Sequence, residues 1–170
     1  QINVGVTLSA TGPAGSLGIP EKNTFELLPT TIGGQKVNWI VLDDGSDTTK
    51  AVTNTKKLIS EDKVDVVAGP TITPNSLALV DVVADAETPM ISMAASSRIV
   101  DPANPKTKWV FKTPHTDRMA CEKIFADLRA RSLARLALIS GAGGFDKSMR
   151  SECLKVASKY GIEVVADETY

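Results

Sequence analysis

The stretch VDVVAGPTITPNSLALVDVV, residues 64–83, decides the fold. It opens with the short apolar run VDVVAG, which is typical of a buried strand. It ends in a segment where Leu77, Val80 and Val83 recur at helical spacing. A Gly, two Pro and several hydroxyl side chains lie between the two parts. A strand that runs through a polar turn directly into a helix is the building unit of α/β proteins.

The same unit recurs along the chain. Apolar patterns predict strands over 2–8, 37–42, 88–95 and 109–112, and an amphipathic helix over 47–62 that Ser46 or Asp47 would cap. Alternation of apolar strands with helices favours a parallel sheet, because right-handed crossovers place helices on both of its faces. The sequence therefore predicts an α/β fold with a parallel sheet flanked by helices on both faces.

The pattern restarts near Pro114, with helices predicted over 116–132 and 146–159 and strands over 135–140 and 163–168. We therefore expect a first α/β lobe over 1–113, and a hinge crossing with an incomplete second lobe over 114–170. Two parallel strands cannot bury both of their faces by themselves. Self-association of this chain is one expected consequence.

Composition narrows the classes of partner. A net charge of −1 and a pI near 5.9 give no electrostatic basis for binding nucleic acid. The chain has no apolar run of the roughly 18 residues that a membrane span needs. Its start at Gln1 rather than Met indicates processing or trimming, and removal of a signal peptide would make it an exported, periplasmic protein. Cys121 and Cys153 have no metal-site spacing; we favour buried, unpaired side chains, with a disulfide as the alternative.

Residues for catalysis or cofactor binding are scarce. The single histidine, His115, lies in a predicted connector without a nucleophile motif, so we expect no enzyme, no catalytic residue and no metal site. A Gly-rich loop, ISGAGGFDKSMR at 139–150, follows a strand and precedes a helix, as in dinucleotide-binding proteins. Its third glycine position holds Asp146, whose charge would oppose a pyrophosphate. A nucleotide-dependent oxidoreductase is therefore the less favoured alternative, and we expect no cofactor.

Ligands of parallel α/β sheets bind beyond the carboxyl ends of the strands. Two predicted loops there are rich in hydroxyls and small side chains: GPTITPNS at 69–76 and SMAASS at 92–97. Free N–H groups at the start of the helix after the first loop suit a carboxylate. The segment SATGPAGSLG at 9–18, interpreted as a loop, adds a third wall with an apolar Leu17. The sequence predicts a site for a small carboxylate between these loops.

The ordered series SATGPAGSLG, IVLDDGSDTTKAVTNTKKLISEDKVDVVAGPTITPNSLALVDVV, TPMISMAAS and WVFKTPHTD resembles the solute-binding proteins of ABC importers, in the branched-chain amino acid class. The resemblance implies an exported protein of two lobes that enclose a solute, with membrane permease subunits as partners. It also implies ligand contacts from two loops and from two positions that often carry an aromatic residue: Thr71, Ile72, Thr73, Ala94, Ala95, Ser96, Leu17 and Phe145.

The resemblance leaves the solute open between a branched-chain amino acid and an aromatic acid. GSLGIPEKNT and VLDDGSD are similar to members that take up benzoate derivatives, and Leu17 and Phe145 would flank a ring. In that case Thr73 and Ser96 would hold the carboxylate. A receptor or sensor ligand-binding domain uses the same fold and is the alternative function. A downstream membrane span would mark such a sensor.

Overall fold

The computed structural model describes residues 1–170 and divides into two compact units. Unit 1 comprises Gln1–Ala94 and Ile99–Thr113, and unit 2 comprises Ala95–Arg98 and Pro114–Tyr170. Each unit has its own sheet and its own apolar core. The assignment of 114–170 to an incomplete second lobe stays a prediction.

Unit 1 contains a six-stranded sheet in the order β2-β3-β1-β4-β5-β6. All neighbouring pairs are parallel except β2 and β3, which are antiparallel. This sheet, with its helices, confirms the predicted α/β class. The strands are β1 Ile2–Leu8, β2 Thr31–Ile32, β3 Gln35–Asp43, β4 Val66–Ala68, β5 Met90–Ser92 and β6 Val110–Lys112.

Three α-helices belong to unit 1, together with short 3₁₀ turns at Ser97–Val100 and Pro105–Trp109. One of the two expected caps of α2 is present, since the Asp47 side chain accepts a hydrogen bond of 2.7 Å from the Lys50 backbone N–H. Pro74 lies in the first turn of α3, where its missing N–H removes no helical hydrogen bond. The helices are α1 Gly15–Leu27, α2 Thr48–Ser60 and α3 Thr73–Asp85.

Helix α1 corrects the expectation that residues 9–18 form a loop. Gly15, Gly18 and Pro20 all lie inside this helix, and each is a poor former of helix interiors, so local propensity hides it. Packing supplies the reason for Gly18: a Cβ atom there would lie 2.0 Å from the backbone oxygen of Ser9. The helix can approach the end of β1 this closely only without a side chain.

Apolar clusters on the two faces of the sheet form the core of unit 1. On one face Phe25 of α1 packs against the cluster of Val4, Val6 and Leu8, and its ring centroid lies 5.7 Å from that of Trp39. The other cluster joins α2, α3 and the central strands through Leu58, Val67, Leu79, Val83 and Met90. Helices therefore cover both faces, which keeps the polar loops at the strand ends in fixed positions.

Unit 2 has a two-stranded parallel sheet and two helices. Its core surrounds Phe125, Val156 and Ile162, and Cys121 forms a disulfide with Cys153 across α4 and α5. The disulfide overturns our preference for unpaired cysteines; the spacing of 32 residues held no sign of the pairing. The elements are α4 Asp117–Ala130, β7 Arg135–Ser140, α5 Gly144–Ala157, a 3₁₀ turn at Ser158–Tyr160 and β8 Glu163–Thr169.

Candidate functional site

The chain reverses its direction across the sheet of unit 1 at β1. The strand β3 pairs with β1 on one side, and the chain then returns to the other side of β1 as β4. Such a reversal opens a crevice at the carboxyl ends of the two diverging strands, which is where α/β sheets bind ligands. The residues at this crevice are Ser9, which follows β1, and the turn 69–72, which follows β4.

Thr71 connects the two loops at the crevice. Its hydroxyl oxygen accepts a hydrogen bond of 2.9 Å from the Ser9 backbone N–H. The same hydroxyl donates its proton to Oε2 of Glu21 on α1 at 2.5 Å. Thr71 is buried, and its proton is not free for a ligand while Glu21 accepts it. Thr71, one of the predicted ligand contacts, therefore links two loops and helix α1.

Two carboxyl groups lie behind Thr71. Burial raises the pKa of Glu21; the hydrogen bond from Thr71 lowers it, and the nearby charge of Asp44 raises it further. Asp44 is fully buried: its Oδ1 accepts from the Ser9 hydroxyl at 2.7 Å and from the Ser46 backbone N–H at 2.9 Å. Its Oδ2 is buried without a hydrogen-bond partner. This acidic wall repels an anion, so a bound carboxylate needs donors from elsewhere.

The start of α3 can supply those donors. Ile72 caps the helix with extended backbone, and the Ser76 N–H is the first to bond back, to the Ile72 carbonyl at 3.0 Å. The backbone N–H groups before Ser76 point along the helix axis with the positive end of its dipole, although Pro74 contributes none. Thr73, the first helical residue, is almost fully buried, and Ile72 is partly exposed.

The loop after β5 lies beside the turn after β4. The Met93 N–H donates to the Pro70 carbonyl at 3.2 Å, which brings the two predicted loops together. A buried hydroxyl pair below them, Ser76 and Ser92, lies 2.8 Å apart. The Ala94 N–H donates to the Ser92 hydroxyl at 3.1 Å, so this amide is already used inside the protein. Within unit 1 the structure thus gathers the predicted residues 71–73 and Ala94.

Ser96 belongs to unit 2, where it is fully buried. Its hydroxyl donates to the Ser148 hydroxyl at 2.8 Å and accepts from the Arg98 backbone N–H at 3.3 Å. Ser148 in turn donates a short hydrogen bond to Oδ2 of Asp117. The other oxygen of Asp117, Oδ1, is buried without a partner. Ala95, beside Ser96, is partly exposed.

The two apolar residues of the predicted site are each exposed within their own unit. Leu17, in the first turn of α1, has 56% of its surface accessible, and Phe145, in the first turn of α5, has 45%. Large apolar side chains at these exposures are available to contact a ligand. Both stand near a helix N-terminus, where a carboxylate is also favoured.

Hydrogen bonds to the loop after β3 fix the start of α1. The Asp43 carboxylate accepts from the Thr11 hydroxyl at 2.6 Å, and the Ser46 hydroxyl accepts from the Ala14 N–H at 3.0 Å. Burial alone would raise the pKa of Asp43, but hydrogen bonds from Thr11 and Gly45 outweigh it and lower the pKa. This network holds the turn that presents Leu17.

The Gly-rich loop before α5 has a local structural explanation. A Cβ atom on Gly141 would lie 3.0 Å from the carboxyl carbon of Asp146, and one on Gly143 would lie 2.7 Å from its Oδ2. Asp146 therefore folds back over the glycines in the first turn of α5, where a pyrophosphate would have to bind. A pyrophosphate at this position would face the carboxylate of Asp146.

Sequence reasoning missed four residues of these networks: Glu21, Asp44, Asp117 and Ser148. Glu21 was hidden because α1 was interpreted as a loop. Asp117 lies at the start of the helix predicted over 116–132, directly after Thr116, which caps α4 in the structure, but its burial depends on packing between α4 and α5. Asp44 stands in the stretch VLDDGSD, which holds no sign that its side chain is buried. No group of three or more His, Cys, Asp or Glu side chains is arranged to hold a metal ion.

The chain has similarity to known proteins along its whole length. A family model described as periplasmic binding protein matches residues 1–170. The comparison with curated proteins gave no significant match. None of the helices combines the length and the apolar character that crossing a membrane requires.

Solved structures share the fold. An extracellular ligand-binding receptor from Rhodopseudomonas palustris HaA2 is 38% identical with a TM-score of 0.94, covering 100% of this chain and 47% of that one. A second receptor of this description from the same strain is 31% identical, with a TM-score of 0.91 and coverage of 99% and 46%.

A more distant structure was solved with a ligand. It is an ABC transporter solute-binding protein from Rhodopseudomonas palustris BisB5 in complex with 3,4-dihydroxybenzoic acid. It is 24% identical with a TM-score of 0.88, covering 99% of this chain and 47% of that one, and it shows the fold alone. The chain spans about half the length of these related structures.

Proposed function

The chain belongs to the periplasmic binding protein family, and we propose that it is part of the solute-binding component of an ABC import system. The family binds solutes rather than transforming them, so the prediction that the chain is not an enzyme is confirmed. Permease subunits in the membrane are the proposed protein partners. A periplasmic location after removal of a signal peptide, and enclosure of the solute by two lobes, stay predictions.

The proposed solute is a small carboxylate, either a branched-chain amino acid or an aromatic acid. Its carboxylate would bind at the start of α3, near Ile72 and Thr73, because the amides there carry the positive end of the helix dipole. The acidic wall of Glu21 and Asp44 disfavours an anion deeper in the crevice. The remaining proposed contacts are Thr71, Ala94, Ala95, Ser96, Leu17 and Phe145.

One observation carries the proposal: the loops after β1, β4 and β5 meet at the crevice where the chain reverses its direction across the sheet. The 2.9 Å bond from Ser9 to Thr71 and the 3.2 Å bond from Met93 to Pro70 hold them together. Rigid polar loops beside a helix start that has no side-chain cap are suited to ligand binding, since little ordering is needed when a ligand binds.

An aromatic acid is the first solute to test. The related structure from Rhodopseudomonas palustris BisB5 contains 3,4-dihydroxybenzoic acid, and its 24% identity makes that compound a choice of probe only. Exposed Leu17 and Phe145 are compatible with a ring and equally with a branched aliphatic side chain. The two classes therefore have to be compared directly.

Calorimetric titration of the complete protein tests the proposal, with 3,4-dihydroxybenzoate, leucine and NAD as separate ligands. We expect saturable 1:1 binding of one of the two carboxylates and none of NAD. The Phe145→Ala variant should bind that carboxylate about tenfold more weakly, as loss of one well-packed ring contact implies. Binding of NAD alone would overturn the proposal in favour of the oxidoreductase alternative.

A receptor or sensor domain is the second candidate function, because the 38% identical relative is described as an extracellular ligand-binding receptor. It would bind the same class of ligand and differ in its protein partner. Co-purification with an ABC permease from membranes supports the import function, and co-purification with a signalling protein alone supports the sensor.

Self-association of the 170-residue chain is a further proposal. Ile139 and Val165, on the two strands of unit 2, have 74% and 44% of their surface accessible. Burying such apolar surface against a second copy is favourable. Sedimentation velocity over a hundredfold range of concentration should show a dimer, and a concentration-independent monomer would contradict it.

A further inference from the structure

We propose that Glu21 takes up a proton when a carboxylate binds at the start of α3, so that the crevice of unit 1 binds an anion and a proton together. The inference rests on the proposed function, because it takes the start of α3 as the carboxylate site. It goes further by assigning this site a proton-binding side chain, and with it a dependence of affinity on pH. All the residues involved belong to unit 1.

Glu21 is one hydrogen bond away from the turn that leads into α3. Its Oε2 accepts the proton of the Thr71 hydroxyl at 2.5 Å. Ile72 and Thr73, whose backbone amides form the proposed carboxylate site, follow Thr71 directly in the chain. A carboxylate bound there would therefore bring a further negative charge close to the Glu21 side chain.

A negative charge already acts on Glu21 from the loop after β3. It is that of Asp44, which is fully buried and whose Oδ2 has no hydrogen-bond partner. The other two segments at the crevice, residues 9–14 after β1 and 69–72 after β4, contain no ionisable side chain. Nothing in these loops therefore offsets the charge of two carboxylates, and a bound anion would add a third.

The basic side chains of the neighbouring elements are engaged elsewhere. On α1, Lys22 lies 3.4 Å from the carboxylate of Glu26. At the start of α2, the charge of Lys50 acts on Asp43. A proton is the remaining positive charge that can reach Glu21 without a rearrangement of the crevice.

Glu21 is placed to accept that proton. Its side chain is partly exposed, and only Oε2 is bonded within the protein, so a proton from water can bind to Oε1 while Thr71 keeps its bond. Burial raises the pKa of Glu21, and the charge of Asp44 raises it further. A bound carboxylate adds another like charge, which disfavours the ionised form more strongly and raises the pKa again.

Binding and protonation then strengthen each other. Between the pKa of Glu21 in the ligand-free protein and its higher value in the complex, binding takes up a proton. The affinity falls as the pH rises through this interval, by up to about tenfold per pH unit. Below the interval Glu21 is protonated in both states, and above it Glu21 is ionised in both, so there the affinity does not change with pH.

Calorimetric titration of the complete protein with 3,4-dihydroxybenzoate and with leucine over about pH 5–8 tests the inference. Each titration is repeated in buffers of different ionisation enthalpy, because the difference in binding heat counts the protons exchanged. We expect proton uptake and a falling affinity with rising pH for the compound that binds. Binding without proton exchange over the whole range overturns the inference. Proton release, as pairing of a solute ammonium group with ionised Glu21 would produce, overturns it too.

The Glu21→Gln variant keeps an acceptor for Thr71 and removes the charge at every pH. Its affinity should not depend on pH, and at about pH 8 it should exceed that of the wild type by about tenfold. A role of Glu21 in packing alone would instead weaken binding at every pH. Persistence of the wild-type pH dependence in Glu21→Gln would overturn the inference. Should this variant not fold, the proton count of the wild-type protein decides.

Glu26→Gln is the matched control. It removes the same charge from the same helix, at a side chain that is 63% exposed and paired with Lys22. Proton uptake and the pH dependence should stay as in the wild type. Failure of both compounds to bind the wild-type protein at any pH would refute the proposed function and the inference with it, whereas binding that ignores pH refutes the inference alone.

Discussion

The substitution Gly18→Ala tests whether α1 packs against the end of β1 as described. The added Cβ atom would lie 2.0 Å from the backbone oxygen of Ser9 and 2.2 Å from its carbonyl carbon. Backbone atoms of a loop that is hydrogen-bonded to Thr71 cannot swing aside as the end of a side chain can. The helix must therefore move away from β1 or the loop must distort.

The magnitude follows from two opposing terms. Replacing glycine by alanine inside a helix stabilises it by up to about 1 kcal/mol. Overpacking a closely fitted site costs about 1–3 kcal/mol, and a contact this short belongs at the upper end. We expect a net loss of about 2 kcal/mol in the free energy of unfolding of unit 1. The proposed carboxylate site should weaken with it, because Ser9 bonds to Thr71.

Gly15→Ala is the matched control, since a Cβ atom at Gly15 would lie 3.4 Å from the Ala10 oxygen, an ordinary contact. It should leave the stability unchanged or raise it by up to about 1 kcal/mol. Urea unfolding followed by tryptophan fluorescence reports on unit 1, because the only two tryptophans, Trp39 and Trp109, both belong to it. Equal stability of Gly18→Ala and Gly15→Ala would refute the packing of α1.

Three further predictions concern stability. Replacing both Cys121 and Cys153 by alanine should cost about 3–4 kcal/mol of stability, because the disulfide closes a loop of 32 residues. Backbone amides of α4 and α5 should then exchange hydrogen faster in the variant than in the wild type. Equal exchange rates in the two proteins would contradict this prediction. Asp43→Asn should cost up to about 1 kcal/mol at pH 7, because the Thr11 and Gly45 hydrogen bonds lower the pKa of Asp43 while solvent screens this partly exposed carboxylate. Its stabilisation is present above its ordinary pKa of 3.8 and is lost as the pH falls through the lowered value, so a deficit that persists in strong acid would contradict this reasoning. Burial raises the pKa of Glu21, so its contribution is complete below its ordinary value of 4.5 and declines as the pH rises through the raised value. Glu21→Gln should remove that decline in urea titrations across pH, and an unchanged pH profile would count against the buried position of Glu21.

Much of the fold was predictable because the strands and helices have strong periodic patterns. The strand over 64–69 and the helix after it follow from apolar spacing, and Asp47 follows from cap chemistry. Helix α1 was not predictable from local preference, since Gly15, Gly18 and Pro20 oppose it and only packing against β1 explains them. Tertiary packing overrides propensity there.

The candidate site was predictable in position and less so in chemistry. The rule that ligands bind at strand ends located the turn around Thr71 and the loop around Ser96. Which way their hydroxyl protons point depends on Glu21 and Asp117, whose distance in sequence from these loops hides the contact. The sequence shows which residues can donate a hydrogen bond. In the structure the Thr71 and Ser96 hydroxyls already donate to Glu21 and Ser148.

The central claim is that a small carboxylate binds at the start of α3. Amide resonances of the complete protein, followed by NMR during titration with 3,4-dihydroxybenzoate and with leucine, test it most directly. We expect saturable shifts of the Ile72 and Thr73 N–H groups, as new hydrogen bonds to the carboxylate would produce. Saturable binding of either compound that leaves these two amides unmoved would contradict the account.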